Sequence, residues 1–221
     1  MAHALIFDMD GTLFQTDKIL EFSLEDTFND LRSRGQWDKE TPIEKYREIM
    51  GVPLPTVWDT LLPHHSEDIR EHANSYFLKR LIANIREGKG ALYPHVKEVF
   101  CDLKEKGCSI YIASNGLTEY LKAIIDHYQL NHWVTETFSI EQIQSLDKAD
   151  LVGSILEKYR MDKAVVVGDR LSDIQAAKNN GLISVGCHFD FAKEEELSEA
   201  DLIIHDLREL KTILPEIFQW E

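Results

Sequence analysis

Two aspartates set two residues apart, Asp8 and Asp10, followed at once by Gly11 and Thr12, are the first residues of this chain that could do chemistry. They close an apolar run, Ala4–Phe7, with no polar alternation, which fits a strand covered on both faces of a parallel sheet. Residues two apart on an extended chain share a face, so the carboxylates start near one another at the strand's carboxyl end. Two such charges cost energy unless a cation or a proton sits between them. Three more polar clusters follow other apolar runs. Ser114-Asn115-Gly116 comes straight after "SIYIA", Lys148 lies near the start of a helical stretch, and Gly168, Asp169 and Asp173 belong to "VVVGDRLSD". Taken singly, each is ambiguous, because Asp-Gly is a common turn dipeptide and Ser-Asn-Gly reads equally as a turn and helix cap.

The elements that must position these clusters are legible from their patterning. Strands are predicted at Leu5–Asp8, Ser109–Ala113, Val134–Phe138, Ala164–Val167, Ile183–Gly186 and Leu202–Ile204. Helices are predicted at Pro94–Lys106, Thr118–Tyr128, Asp150–Tyr159, Asp173–Asn180 and Leu207–Ile213. Such alternation argues for an α/β fold, a doubly wound parallel sheet with helices on both faces. All four clusters then fall at carboxyl ends of strands, where open parallel sheets bind ligands. Lys163, a rival to Lys148, precedes the fourth strand and would sit at the opposite end of the sheet.

One segment breaks the alternation. Thr16–Glu87 has helical periodicity only, with Ile19, Phe22, Leu24, Phe28 and Leu31 at helical spacing and Gly35 as a stop. Shorter helical stretches follow, broken by Gly51 and Pro53, and a long one begins after Ser66. The acids Glu67 and Asp68 in its first turn suit the helix dipole. The expected organisation is therefore a core of residues 1–15 and 88–221 with a helical module, 16–87, inserted after the carboxylate loop.

Composition narrows the function. The chain has 221 residues, 39 acidic against 24 basic, and a formal charge of −15. That field repels nucleic acid and anionic lipid, and no basic stripe overcomes it, so neither is an expected partner. It also repels a small phosphate ester, so any phosphate site needs local positive charge. No apolar run approaches the ~18–20 residues of a membrane span. "MAHALIFDMDG" has no basic n-region, so a cytoplasmic location is expected. Cys101, Cys108 and Cys187 fit neither a disulfide framework nor a metal spacing.

Together the four clusters resemble the haloacid dehalogenase superfamily, whose phosphohydrolases carry D-x-D-G-T, then Ser or Thr, then Lys, then G-D-x-x-x-D, in this order. The helical insert resembles the cap of the subgroup that includes phosphoglycolate phosphatases and β-phosphoglucomutases. The resemblance implies a Mg²⁺-dependent phosphatase, a monomer or weak homodimer, acting on a small phosphorylated metabolite. A carboxylate that attacks phosphorus splits one hard hydrolysis into two easier steps, and the resemblance gives Asp8 that role. Asp10 would be general acid and base. Asp8, the Asp10 carbonyl and Asp169 would hold Mg²⁺, with Asp173 orienting waters or Lys148. Gly11, Thr12, Ser114, Asn115 and Lys148 would meet the phosphate.

Asp at position 10 argues against a dehalogenase or a phosphonatase. The alternatives are a β-phosphoglucomutase-like phosphomutase, with the same motifs, and a non-catalytic binding protein on the same fold. Departures from the family pattern are Ala149 where proline commonly follows the Lys, His95 where many relatives have Gly, and Gln15 where many have Asp. In the insert, Trp58, His64, His65, Tyr76, Phe77 and Arg80 are candidates for reading the leaving group, although aromatics at helical spacing are more often core.

Overall fold

The N-terminal apolar run forms strand β1 (Ala4–Phe7), buried along its whole length. The computed structural model describes residues 3–49, 54–161, 163–190 and 192–220, the side chain of residue 55 excepted. After β1 the described residues form four helices with no strand among them: α1 (Thr16–Ser33), α2 (Ile43–Glu48), α3 (Leu54–Leu61) and α4 (Glu67–Arg86). Gly51 and Pro53, read above as breaks, lie outside the described residues. The chain then alternates through α5 (Val96–Glu105), β2 (Ser109–Ser114), α6 (Thr118–Tyr128), β3 (Val134–Ser139), α7 (Lys148–Tyr159), β4 (Val165–Gly168), α8 (Leu171–Asn179), β5 (Ile183–Cys187), α9 (Glu194–Leu197), β6 (Leu202–Ile204) and α10 (Leu210–Phe218).

The six strands form one parallel sheet in the order β3-β2-β1-β4-β5-β6. The chain winds outward from β1 through β2 to β3, then resumes on the other side of β1 with β4, β5 and β6. The switch in winding direction lies between β1 and β4, where such sheets open a crevice at their carboxyl ends. Alternate β1 side chains go to opposite faces, and both faces are covered. Ala4 and Ile6 pack with Leu151, Val152 and Ile155 of α7 and Ala176 and Ala177 of α8. The Phe7 ring meets Phe100 of α5 at 5.2 Å. Double coverage explains why β1 and β4 read as unbroken apolar runs.

Contacts divide the chain into two units, Met1–Gln15 with Ala91–Glu221, and Thr16–Gly90. The helical unit packs Ile19, Leu24, Phe28 and Leu31 of α1 with Ala73, Phe77, Leu81 and Ile85 of α4, together with Trp58 of α3. Phe22, counted above with this apolar face, is instead 51% exposed.

Several element ends differ from expectation for local reasons. Helix α7 begins at Lys148, two residues before the predicted Asp150, because the Asp147 carboxylate accepts from the Ala149 amide at 2.8 Å and caps it. His95, named above as a departure from the family pattern, takes φ 67, the left-handed region glycine favours. Gln15 Nε2 donates to the Leu92 carbonyl at 2.7 Å and ties the carboxylate loop to the returning chain. The last predicted helix splits into a 3₁₀ turn at Leu207–Glu209 and α10. Beyond it, Phe218 and Trp220 cluster with the His3 ring, and Lys106 lies over Trp220 at 4.8 Å. Among the described residues, no helix is long and apolar enough to cross a membrane.

Candidate active site

Parallel register places the sheet's carboxyl ends in line. Phe7 pairs with Ile112 of β2 and with Val167 of β4, so the next residues of all three strands emerge side by side. Asp8 follows β1, its amide donating to the Val167 carbonyl at 2.8 Å. Ser114 ends β2, and Asp169 follows Gly168 at the end of β4. The chain then turns back, with the Met9 carbonyl accepting from the Leu13 and Phe14 amides. Gly11, at φ 77, lets this loop press against β4, for a Cβ there would stand 2.4 Å from Asp169 Oδ2. Gly168 allows a similar approach, since its Cβ would lie 2.2 Å from Asp173 Cγ.

Asp8, Asp169 and Asp173 are buried and present ligand oxygens within 4.8 Å of one another. Lys148, 5% exposed, reaches them from the first turn of α7, a helix that packs on β2 and α8. Its Nζ donates to Asp8 Oδ1 at 2.6 Å and stands 2.5 Å from Asp173 Oδ1. Asp173 also accepts the Arg170 amide on Oδ2 at 3.0 Å, so one carboxylate begins α8 and anchors the lysine. Thr12, expected at the phosphate, is fully buried and its hydroxyl donates to Asp169 Oδ1 at 3.0 Å instead.

Three carboxylates thus face one ammonium. Burial, with Asp173, Asp169 and Asp10 nearby, pushes the Asp8 carboxyl well above the ordinary range, although Lys148 opposes the rise. Burial and the charge of Asp173 raise Asp169 to about 7, against the pull of the Thr12 hydrogen bond. Burial alone would lower the Lys148 ammonium, but Asp173 and Asp8 raise it on balance. Such a surplus of buried negative charge on hard oxygen donors suits a divalent cation such as Mg²⁺ or Ca²⁺.

The remaining candidates divide. Asp10 is not part of the carboxylate group; its Oδ1 accepts from the Tyr120 hydroxyl at 2.6 Å. Tyr120 was missed in the sequence, where it reads as an apolar position of α6. Its only signal is its place one turn beyond Ser114-Asn115-Gly116. Ser114 is buried and its Oγ accepts from the Gly116 amide at 3.0 Å, whereas Asn115 is exposed. Lys163 stands before β4, away from these strand ends. Arg170 pairs with Glu196 at 3.2 Å, and Glu196 also accepts the Leu171 amide at 3.0 Å. Glu196 therefore holds the start of α8 and Arg170 together. Trp58 and Phe77, weighed above as substrate contacts, are core residues of the helical unit with rings 5.6 Å apart. Arg80 pairs with Asp26 at 2.8 Å.

Comparison with known proteins shows the family and the fold. A family model described as haloacid dehalogenase-like hydrolase matches residues 2–181. A phosphoglycolate phosphatase from Rhodobacter capsulatus is 27% identical over 186 residues, covering 82% of each chain. Pyrophosphatase PpaX from Listeria monocytogenes is 22% identical over 216 residues, 95% of each. Among solved structures, CbbY from Rhodobacter sphaeroides in complex with phosphate superposes with a TM-score of 0.76 at 21% identity, covering 95% of this chain and 96% of that one.

Proposed function

The chain belongs to the haloacid dehalogenase-like hydrolases, and on that premise we propose that it hydrolyses the phosphate ester of a small metabolite through an aspartyl-phosphate on Asp8, with Mg²⁺ as cofactor. The observation that carries this reading is the contact of the Lys148 ammonium with Asp8 Oδ1 at 2.6 Å inside a buried group of three carboxylates. It supplies the local positive charge that a phosphate needs against a chain of net charge −15. The names of two relatives, a phosphoglycolate phosphatase and a pyrophosphatase, point to small phosphorylated substrates.

Asp8, Asp169 and the Asp10 main-chain carbonyl would hold Mg²⁺, with Asp173 beside them. When bound, the ion supplies positive charge that offsets the carboxylates and the phosphoryl oxygens. The chain's own residues do the rest. An Asp8 oxygen forms a bond to phosphorus, the ester P–O bond breaks, and its electron pair leaves on the alcohol oxygen. Asp10 gives that oxygen a proton. Asp10 then takes a proton from water as the water oxygen bonds to phosphorus, and the pair of the broken Asp8–phosphorus bond returns to the carboxylate. Lys148, Ser114 and the Asn115 amide steady the phosphoryl oxygens, which gather charge in both steps.

The test is a screen of phosphoglycolate, pyrophosphate, nucleoside monophosphates and sugar phosphates with Mg²⁺. Release of inorganic phosphate from at least one is expected, and Asp8→Asn should abolish it with the fold intact, since an amide is a poor nucleophile. A silent panel, or near-normal activity of Asp8→Asn, refutes the covalent route. Appearance of a sugar 6-phosphate from the 1-phosphate before free phosphate would make the enzyme a mutase.

A further inference from the structure

Resting on the phosphatase reading, we propose that Tyr120 is a positioning residue whose phenol holds the Asp10 carboxyl in the orientation from which it exchanges protons with the leaving oxygen and with water. Asp10 hangs from a loop beyond β1, and Tyr120 stands in the first turn of α6, 110 residues away. The hydroxyl donates to Asp10 Oδ1 at 2.6 Å, within the short range of a hydroxyl donating to a carboxylate. The ring is 7% exposed and meets Phe14 edge-on with centroids 6.5 Å apart. Phe14 lies on the same loop as Asp10, so ring contact and hydrogen bond fix the loop and its carboxyl group together. An all-apolar surrounding would accept phenylalanine equally well; a buried phenol calls for an acceptor, and here that acceptor is the proposed acid and base.

General acid catalysis depends on heavy-atom placement to within a hydrogen bond, so a carboxyl free to rotate about its side-chain torsions delivers its proton less often. The effect of Tyr120 should follow the leaving group. An alkyl phosphate expels an alkoxide that must be protonated as the P–O bond breaks. p-Nitrophenyl phosphate expels a stable phenolate that needs no proton, leaving only the water step dependent on Asp10.

The experiment compares wild type and Tyr120→Phe of the full chain, with Mg²⁺, on an alkyl phosphate from the panel and on p-nitrophenyl phosphate. On the alkyl ester kcat should fall at least ~10-fold with KM held within about twofold. On p-nitrophenyl phosphate the first equivalent of nitrophenolate should appear at the wild-type rate, with later turnovers slowed and phosphate retained on the protein. In an Asp10→Asn background, Tyr120→Phe should cost nothing more, because the two substitutions remove one shared function. The melting temperature should stay within about 4 °C of wild type. Unchanged kcat on the alkyl ester, equal slowing of both first steps, or additive losses with Asp10→Asn would overturn the role given to Tyr120. A wild-type chain that releases phosphate from no ester refutes the phosphatase reading itself; an active wild type matched by Tyr120→Phe refutes only this inference.

Discussion

Replacing Asp169 by asparagine removes one of the three buried carboxylates while keeping the shape of the side chain and an oxygen for the Thr12 hydroxyl to donate to at 3.0 Å. The magnitude follows from the carboxyl's displacement. Raised from its ordinary 3.8 to about 7, Asp169 costs the metal-free fold on the order of 4 kcal/mol when fully ionised. The sign follows from proton counting. Below about pH 4 both folded and unfolded chains carry the proton, and the group contributes nothing. As pH rises towards 7 the unfolded chain loses the proton and the folded chain keeps it, so stability falls; above about pH 7 the loss is complete. Asparagine has no such dependence. In chelator at about pH 8 the variant should therefore melt higher than wild type, by as much as roughly 10 °C for a chain of this size, and the advantage should vanish near pH 4. Millimolar Mg²⁺ should raise the wild-type melting temperature and do little for the variant. Thermal melts at the two pH values, with and without Mg²⁺, decide the matter. A variant less stable than wild type in chelator at alkaline pH, or equal stabilisation of both by Mg²⁺, would refute the charge-surplus account.

Two other substitutions probe the same cluster. Lys148→Met keeps the buried stem but leaves Asp8 and Asp173 without their cation; kcat should fall ~10³-fold or more, and chemical denaturation should show a loss of about 3–5 kcal/mol. Gly11→Ala puts a methyl group at φ 77 and 2.4 Å from Asp169 Oδ2; the displaced carboxylate should weaken Mg²⁺ binding at least ~10-fold, read from the ion concentration that half-saturates the melting shift.

Local sequence carried much of the architecture. Unbroken apolar runs such as Ala4–Phe7 and Val165–Val167 mark strands covered on both faces, and helical spacing between strands implies parallel crossovers. Where a boundary moved, a side chain moved it, as when Asp147 capped α7 and drew Lys148 into the helix. The patterning of the helical insert was also visible, but not which apolar residues its helices would cover. Phe22 was left half exposed, while Trp58 and Phe77 were drawn into the interior.

The sequence by itself determined that carboxylates, a hydroxyl and a lysine would stand at the carboxyl ends of strands, because strand periodicity and parallel crossovers are encoded within short segments. Tertiary structure alone decided which of them touch. The Lys148–Asp8 pair spans 140 residues and the Tyr120–Asp10 pair 110. Such contacts depend on strand order, on the register that aligns Phe7 with Ile112 and Val167, and on the angle at which α6 and α7 return to the sheet. Distances across a sheet arise from the packing of many distant residues at once, and no local spacing records them.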